Sequence, residues 1–133
     1  MKKCLVAVLV AVLCLTSCKA QSDTADKIRD LDFTVLSEEE APDALKQLIE
    51  QKKETNFKLT YSDAGYLYIA VGYGAKETGG YSISVKELYL TENTVCIKTE
   101  LIGPKKDEEP INGVSYPYMI VKLENREEPV TFQ

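Results

Sequence analysis

The side chains best suited to chemistry in this 133-residue chain are four cysteines and 21 carboxylates, and histidine is absent. Without an imidazole there is no Ser/His or Cys/His nucleophile pair, no His-ligated zinc and no side chain that ordinarily exchanges protons near neutral pH. Two carboxylates could still serve a glycosidase, but such a pair is defined by a separation in space that a sequence does not give. We therefore predict a protein that is not an enzyme and has no catalytic residue, metal or cofactor.

An uncharged apolar segment at the start of the chain predicts export. Lys2 and Lys3 precede residues 4–15, which contain no charged side chain, and a basic region followed by an apolar one is typical of a signal peptide. As a helix this segment would rise about 18 Å, whereas a membrane-spanning helix must cross about 30 Å of hydrocarbon. The segment is therefore predicted to be a signal and not a transmembrane helix.

Cys18 stands close behind this segment and is predicted to carry lipid. Leu15, Thr16 and Ser17 before Cys18 resemble a bacterial lipobox, in which the thiol is joined to diacylglycerol and cleavage then leaves that cysteine first. We expect a lipoprotein signal peptide over residues 1–17 and a diacylated Cys18, because two acyl chains hold a protein stably on a membrane. The predicted location is the cell membrane, facing outside the cytoplasm. The alternative is an ordinary secretory cleavage site that happens to precede a cysteine.

The charge balance and the remaining cysteine limit the partners further. Loss of residues 1–17 removes Lys2 and Lys3, which changes the formal net charge from −5 to −7. So acidic a chain, without a basic stripe, is repelled by nucleic acid, which is therefore not a predicted partner. The signal takes two cysteines with it and Cys18 is acylated, so Cys96 has no partner for an intramolecular disulfide. We predict a buried strand residue at Cys96, with a reactive thiol or an intermolecular bridge as the alternative.

The mature chain is predicted to consist of a tether and a domain. Residues 18–32 are mostly polar and predict the lipidated cysteine followed by a tether, and residues 33–133 predict one domain. Pro42 suits the start of a helix over about 43–54, in which leucine and isoleucine side chains share one face. We expect this face to pack on a sheet.

The rest of the chain alternates apolar and polar residues, which predicts strands and turns. Two hairpins are predicted, with turns at 62–65 and 91–94. They are followed by a polar loop at 103–115 and by two further strands, one at 118–123 and one at 130–132. The predicted fold class is α+β, with one N-terminal amphipathic helix packed on an antiparallel, curled sheet of six or seven strands.

The loop between the two hairpins, residues 72–81, is rich in glycine but lacks the pattern of a phosphate-binding loop. A dinucleotide-binding fingerprint requires glycine where Glu77 stands, and a P-loop requires Gly-Lys-Ser/Thr. Both also require a helix next, where this sequence predicts a strand. We therefore expect the glycines to permit positive φ angles and a close approach of two backbones.

Two motifs resemble a known family. Residues 76–83 read KETGGYSI, which resembles the K-x-T-G-G-Y signature of the PrcB C-terminal domain, a protease-complex-subunit family. Residues 116–118 read YPY before apolar residues 119–121, and this resembles the Pro-Tyr strand that closes the domain. The likeness covers about 57–132, although Gly-Tyr-Gly at 72–74 departs from the usual start of the loop. The resemblance implies a non-catalytic, surface-anchored module that acts as an accessory subunit of a secreted protease.

Tyrosine is a second indication of protein binding. All eight tyrosines lie between residues 61 and 118, and tyrosine offers a large contact area with little side-chain entropy to lose. Four of them, in predicted strands, are interpreted as ordinary half-buried residues. We predict a protein-binding surface made of Gly72, Tyr73, Gly74, Thr78, Gly79, Gly80, Tyr81, Tyr116, Pro117 and Tyr118.

The predicted partner of this surface is a secreted or surface protease, or another envelope protein, which the module stabilises or restrains. The alternative is a small-ligand or cell-wall-fragment binder, in which the curled sheet encloses a pocket lined by tyrosine.

Overall fold

The computed structural model describes residues 26–107, 109 and 111–133. The predicted signal peptide, Cys18 and most of the predicted tether lie outside these residues. The described chain contains one α-helix, one 3₁₀ helix and ten strands. Their bounds are β1 Arg29–Asp30, β2 Thr34–Leu36, the 3₁₀ helix Glu38–Glu40, α1 Asp43–Lys52, β3 Asn56–Asp63, β4 Tyr66–Tyr73, β5 Lys76–Thr78, β6 Ser82–Leu90, β7 Val95–Ile102, β8 Asn112–Ser115, β9 Tyr118–Glu124 and β10 Val130–Phe132.

The strands form two four-stranded sheets and one two-stranded sheet. The first sheet has the order β1-β6-β7-β10 and the second has the order β2-β9-β4-β3. The small sheet pairs β5 with β8, and we call these two strands the flap. Neighbouring strands are antiparallel except β7 and β10, which run parallel with Val95 opposite Val130.

The two large sheets pack face to face around the main hydrophobic core. Leu67, Ile69 and Val71 of β4 point into this core, where Val95 and Ile97 of β7 meet them from the opposite sheet. Because alternate residues of strands in both sheets share one buried cluster, the architecture is a β-sandwich.

The outer face of the second sheet is covered by α1. Tyr68 and Ala70, the intervening residues of β4, share a second buried cluster with Leu45 and Ile49 of the helix. Leu45 is completely buried, at 0% exposure. Strand β4 is therefore covered on both faces, and the domain has three layers: first sheet, second sheet and helix.

The predicted α+β class, with one curled antiparallel sheet and an N-terminal helix, is wrong. The described chain is mostly β, with 52% strand and 12% helix, and it has several sheets. Its helix follows β2 and does not lead the chain. The physical reason lies in β4, which is apolar without interruption from Leu67 to Val71 and therefore has two apolar faces. The first sheet covers one face and α1 covers the other, so a single sheet with one helix is not enough. Apolar periodicity identifies a strand, but it does not show which other strands share its sheet.

The helix predicted for about 43–54 is found at Asp43–Lys52 and begins after Pro42. Ser37 and Glu40 form a capping box on the preceding 3₁₀ helix. The amide and the hydroxyl of Ser37 both donate hydrogen bonds to Glu40 Oε1, at 2.9 and 2.8 Å. These bonds, the backbone one first, lower the pKa of Glu40.

The folded part begins before residue 33, where the predicted domain starts. Strand β1 pairs with Leu90 and Tyr89 of β6, and Leu31 is 8% exposed within the main core. The predicted tether is therefore shorter at its carboxyl end than the sequence indicates. The reason is that β1 covers the edge of β6 and that Leu31 fills space between the sheets.

The turn between β3 and β4 has two residues with positive φ. Asp63 pairs with Tyr66, and between them Ala64 has a φ of 51° and Gly65 a φ of 84°. Two-residue turns with this backbone match the twist of the strands that they join. Glycine adopts such a φ freely, whereas alanine does so at a cost.

Candidate interaction surface

The two segments predicted for protein binding meet at one end of the sandwich. Gly72 near the end of β4 lies opposite Tyr118 at the start of β9. The Tyr73 amide donates a hydrogen bond to the Pro117 carbonyl at 3.0 Å. Both strands of the flap connect at this point, because β5 follows β4 and β8 precedes β9.

The flap is held together by a short backbone ladder and one side chain. Its two strands pair in an irregular register, and the Ser115 hydroxyl donates a hydrogen bond to the Thr78 carbonyl at 2.7 Å. The Gly79 amide extends the pairing by donating to the Ile111 carbonyl at 2.9 Å. In a sheet of two strands, each strand keeps one edge without a neighbouring strand.

Gly72 and Gly74 bring the end of β4 close to the start of β3. A Cβ atom at Gly72 would meet the Phe57 ring, 2.7 Å from Cζ and closer still to Cε1 and Cδ1. Gly74 has a φ of 79°, and a Cβ atom there would lie 3.2 Å from Asn56 Oδ1. This geometry explains the unusual Gly-Tyr-Gly at the start of the loop. The Phe57 ring leaves no room for a side chain at Gly72, and Gly74 combines a positive φ with close contact to Asn56.

Gly79 and Gly80 lead the chain out of the flap against two apolar side chains. A Cβ atom at Gly79 would lie 3.2 Å from Ile111 Cβ, and one at Gly80 would lie 3.1 Å from Pro104 Cβ. Gly80 also has a φ of 90°. The predicted role of the loop glycines, positive φ and close approach, is confirmed at these positions.

Tyr73 and Tyr118 belong to the framework of the domain. Tyr73 packs against the main core, and its hydroxyl shares a hydrogen bond with the Thr99 hydroxyl at 2.5 Å. Tyr118 packs on the opposite face of the second sheet, against the cluster beneath α1. Burial, followed by the carboxylates of Glu38 and Glu50, raises the pKa of Tyr118. Alanine at either tyrosine would disturb the packing as well as any contact with a partner.

Tyr81 and Tyr116 are partly exposed at the same end. The Tyr81 ring lies beside Gly103, with Cε1 3.6 Å from the place of a Cβ atom there. Lys53 at the end of α1 holds its Nζ 5.1 Å from the centre of the Tyr116 ring and 2.6 Å from Glu50 Oε1. The hydrogen bond with Glu50 raises the pKa of Lys53. An ammonium group at this distance from an aromatic ring makes a cation–π interaction.

Three exposed apolar side chains at this end are not apparent from the sequence. Ile111 directly before β8 and Val114 within β8 are 63% and 61% exposed, and Ile102 at the end of β7 is 45% exposed. We call these three residues, together with Tyr81 and Tyr116, the flap surface. The sequence does contain an indication of this apolar surface, because residues 111–121 carry no charge. Residues 111–115, however, fall within the loop that was predicted to be polar.

A comparison with known families places this surface in context. Residues 67–124 match the family model described as PrcB C-terminal. The matched span is 58 of the 133 residues, and over it the chain is similar to the PrcB C-terminal family. The match runs from β4 to β9 and contains the whole flap surface. The resemblance stated from the two motifs is confirmed, and the match suggests an accessory domain associated with a protease complex. No curated protein and no solved structure matches the chain.

Within the described ranges, no group of three or more His, Cys, Asp or Glu residues could hold a metal ion. Cys96 is buried, as predicted, and its Sγ lies 3.3 Å from the Thr94 hydroxyl. Within the same ranges, no helix is long and apolar enough to cross a membrane. The exposed side chains of the flap surface are apolar and aromatic.

Two of the clefts that the structure describes lie away from the predicted binding tyrosines. One of about 560 Å³ is lined by Glu92, Asn93 and residues 125–128. Another of about 410 Å³ includes Phe33 and Tyr66 at the edge of the second sheet. The space between the two sheets holds the side chains of the main core. The alternative prediction required one curled sheet around a pocket lined by tyrosine. The structure instead has two sheets with a packed interior between them.

Proposed function

We propose that this protein is a lipid-anchored, non-catalytic accessory module of the cell envelope, which docks on a secreted protease or another envelope protein and stabilises or restrains it. The family match supports the association with a protease. The basic and apolar start of the chain and the lipobox-like residues before Cys18 support the anchor. The absence of histidine supports a role without catalysis.

The observation that carries the docking part is the exposure of Val114 on the flap and of Ile111 next to it. Burial of apolar surface gains roughly 25 cal/mol per Å², so two side chains more than 60% exposed can contribute to binding once a partner covers them. The flap strands have three and four residues. Because a two-stranded sheet is marginally stable in water, a partner would also stabilise the flap.

A second exposed apolar group lies on β2, where Phe33 and Val35 are 38% and 55% exposed. These residues fall outside the span 67–124 of the family match. The flap surface lies within it and is therefore the favoured docking site. The β2 group provides a matched control, because Val35 and Val114 are both exposed valines on short strands.

The docking test compares Val114→Ser with Val35→Ser. A strain of the source bacterium that lacks this chain is complemented with wild type or either variant, and the abundance and activity of its secreted proteases are measured. Wild type and Val35→Ser should restore both, and Val114→Ser should not. Burial of a fully exposed valine is worth about 1.5–3 kcal/mol. Because Val114 is 61% exposed, the affinity of a purified partner should fall roughly five- to twentyfold.

The folded state of both variants is checked by thermal unfolding, so that loss of the domain is not mistaken for loss of docking. Full restoration by Val114→Ser, and by Ile111→Ser tested in the same way, would remove the flap from the interface. Equal loss with Val114→Ser and Val35→Ser would show that the effect is not specific to the flap.

The anchor is tested separately at Cys18. Cys18→Ala should abolish incorporation of labelled palmitate and should leave the precursor unprocessed, because the acylated thiol is required before cleavage. Unchanged incorporation in this variant would show that Cys18 is not the lipid site.

A further inference from the structure

We infer that the outer face of the second sheet carries a binding site for a neutral saccharide beside α1, where Tyr66, Tyr68 and Lys122 meet. The site is separate from the flap surface and lies on an open face, not in a pocket enclosed by a sheet. It depends neither on the lipid anchor nor on the docking of a protease. It gives a role to tyrosines whose positions in strands predicted ordinary half-buried residues.

Helix α1 does not cover the whole outer face of the second sheet. Its ten residues rise about 15 Å, whereas the eight residues of β4 extend over about 26 Å. Tyr68 is buried in the cluster beneath the helix, but Tyr66, two residues earlier on the same face, is 41% exposed. The start of β4 therefore presents an aromatic ring that no described part of the chain buries.

The neighbouring strands extend this ring into an aromatic group. Tyr61 of β3 lies opposite Tyr68, and the centres of their rings are 6.2 Å apart. Lys122 of β9 also lies opposite Tyr68, and its Nζ is 4.0 Å from the centre of the Tyr66 ring and 6.0 Å from that of Tyr68. Because residues opposite each other in antiparallel strands share a face, these three tyrosines and the lysine form one group, which we call the tyrosine face.

An open cleft adjoins the tyrosine face. It has a volume of about 410 Å³, and Tyr66, Lys122 and Phe33 are among the residues that line it. Small-ligand sites have volumes of about 300–1,000 Å³. Phe33 is itself partly exposed, so two aromatic rings of the cleft are available to a ligand.

The charged side chains beside the rings favour a saccharide over a protein surface. Asp63 and Glu124 lie opposite Tyr66 on the two adjacent strands, and both are exposed. A protein that covered the rings would also remove water from these carboxylates, which is costly unless each is paired. A saccharide avoids this cost, because its C–H groups pack on aromatic rings while its hydroxyl groups hydrogen-bond to carboxylates and to an ammonium group. The flap surface, in contrast, is made of uncharged residues.

The charge of the cleft favours a neutral saccharide over a charged one. Asp32, Glu40 and Glu124 line it together with Lys122, which gives three carboxylates and one ammonium group. This excess of negative charge repels an anionic sugar. A cationic ligand would meet Lys122, whose ammonium group already lies over the Tyr66 ring at the place where such a ligand would bind. A neutral saccharide meets neither obstacle.

The site is tested by ligand-observed saturation-transfer NMR on the full-length protein, held in a detergent without a sugar head group. The probes are the neutral tetrasaccharides of glucose, mannose and N-acetylglucosamine, with tetragalacturonate as the anionic comparison. The variants are Tyr66→Ala, Tyr66→Phe and Phe33→Ala. Tyr81→Ala is the matched control, because it removes a partly exposed tyrosine at the flap end. Thermal unfolding checks that each variant is folded.

We expect at least one neutral tetrasaccharide to bind wild type, and to bind Tyr66→Ala roughly fivefold more weakly or worse because the contact area of the ring is lost. Phe33→Ala should also weaken binding, and it provides a second test of the site if Tyr66→Ala does not fold. Tyr66→Phe keeps the ring and Tyr81→Ala keeps the site, so both should bind like wild type. Tetragalacturonate should bind more weakly than the neutral probe.

Three results would overturn the inference: no binding of any neutral probe, equal weakening by Tyr66→Ala and Tyr81→Ala, or tighter binding of tetragalacturonate. Loss of protease restoration with Tyr66→Ala, without saccharide binding by wild type, would assign the tyrosine face to protein docking instead. Restoration by Val114→Ser tests the flap separately. Failure of the saccharide site and failure of the docking proposal are therefore distinguishable.

Discussion

Gly72→Ala is expected to destabilise the domain, although it adds only one methyl group. Gly72 is buried in β4 and lies opposite Phe57 of β3. The Phe57 side chain is 7% exposed and belongs to the cluster beneath α1. The added Cβ atom would lie 2.7 Å from Cζ of this ring and closer to two of its other atoms, so the ring must move into space that the helix occupies.

The expected cost follows from this geometry. Forcing an extra methyl group into a packed core costs typically about 1–3 kcal/mol, and we expect about 2 kcal/mol because a whole ring is displaced and not the end of a flexible side chain. In a domain of this size, each kcal/mol lowers Tm by about 4–8 °C. A decrease of roughly 8–16 °C is therefore expected.

The assay is urea unfolding of the chain from residue 19 onward, followed by circular dichroism, with the free energy of unfolding taken from the midpoint at constant m. Gly103→Ala is the matched control. A Cβ atom there would have the Tyr81 ring at 3.6 Å as its nearest neighbour, which is an ordinary contact. Its effect should stay within about 0.5 kcal/mol.

A second variant separates the ring from other causes. If the Phe57 ring is the obstacle, Gly72→Ala combined with Phe57→Leu should cost less than the sum of the two single changes. Strictly additive effects would refute the reasoning, and so would a Gly72→Ala variant as stable as Gly103→Ala.

Three further changes test other parts of the fold. Ala64→Asn should raise the free energy of unfolding by about 0.5–1 kcal/mol, because asparagine tolerates the positive φ of this turn better than alanine; a lower urea midpoint would contradict this. Leu45→Ala should cost about 2–5 kcal/mol, since Leu45 is fully buried between helix and sheet; a thermal unfolding curve that does not shift would show that α1 is not part of the cooperative fold. The lowered pKa of Glu40 means that its carboxylate stabilises the fold above the ordinary value of 4.5 and that this contribution is lost as the pH falls through the lowered value. Wild type should therefore exceed Glu40→Gln in stability at neutral pH and converge with it in acid, and a gap that persists in strong acid would disprove this origin.

The placement of the tyrosines illustrates how far the candidate site could be predicted. The clustering of the tyrosines between residues 61 and 118 and the KETGGYSI motif were sufficient to select two segments, and the structure brings these segments together. Sequence could not show that Tyr73 points into the sandwich while Tyr118 points toward the helix. The two tyrosines lie on adjacent strands, and the face of each depends on where the other sheet and α1 pack.

The apolar residues of the flap were missed for a related reason. Ile111 and Val114 lie in a stretch with proline, glycine and asparagine nearby, which is typical of a loop. That stretch pairs as β8 only because β5, more than thirty residues earlier, lies beside it. Pairing over such a separation leaves no local pattern in the sequence.

The sequence by itself determined the features that depend on neighbours along the chain. These include the apolar segment before Cys18, the position of α1 after Pro42, the turns of the two hairpins, and the motif that resembles the PrcB C-terminal family, whose model matches residues 67–124. Each depends on backbone preference, short-range spacing or a run of residues read together.

Only the tertiary structure decided how the strands divide between two sheets, why Gly72 must lie beneath Phe57, and which apolar side chains remain in water. The physical reason is that burial is a property of two surfaces brought together. A strand with an apolar residue at every position, such as β4, requires cover on both sides, but its own residues do not say whether a sheet, a helix or a partner provides it.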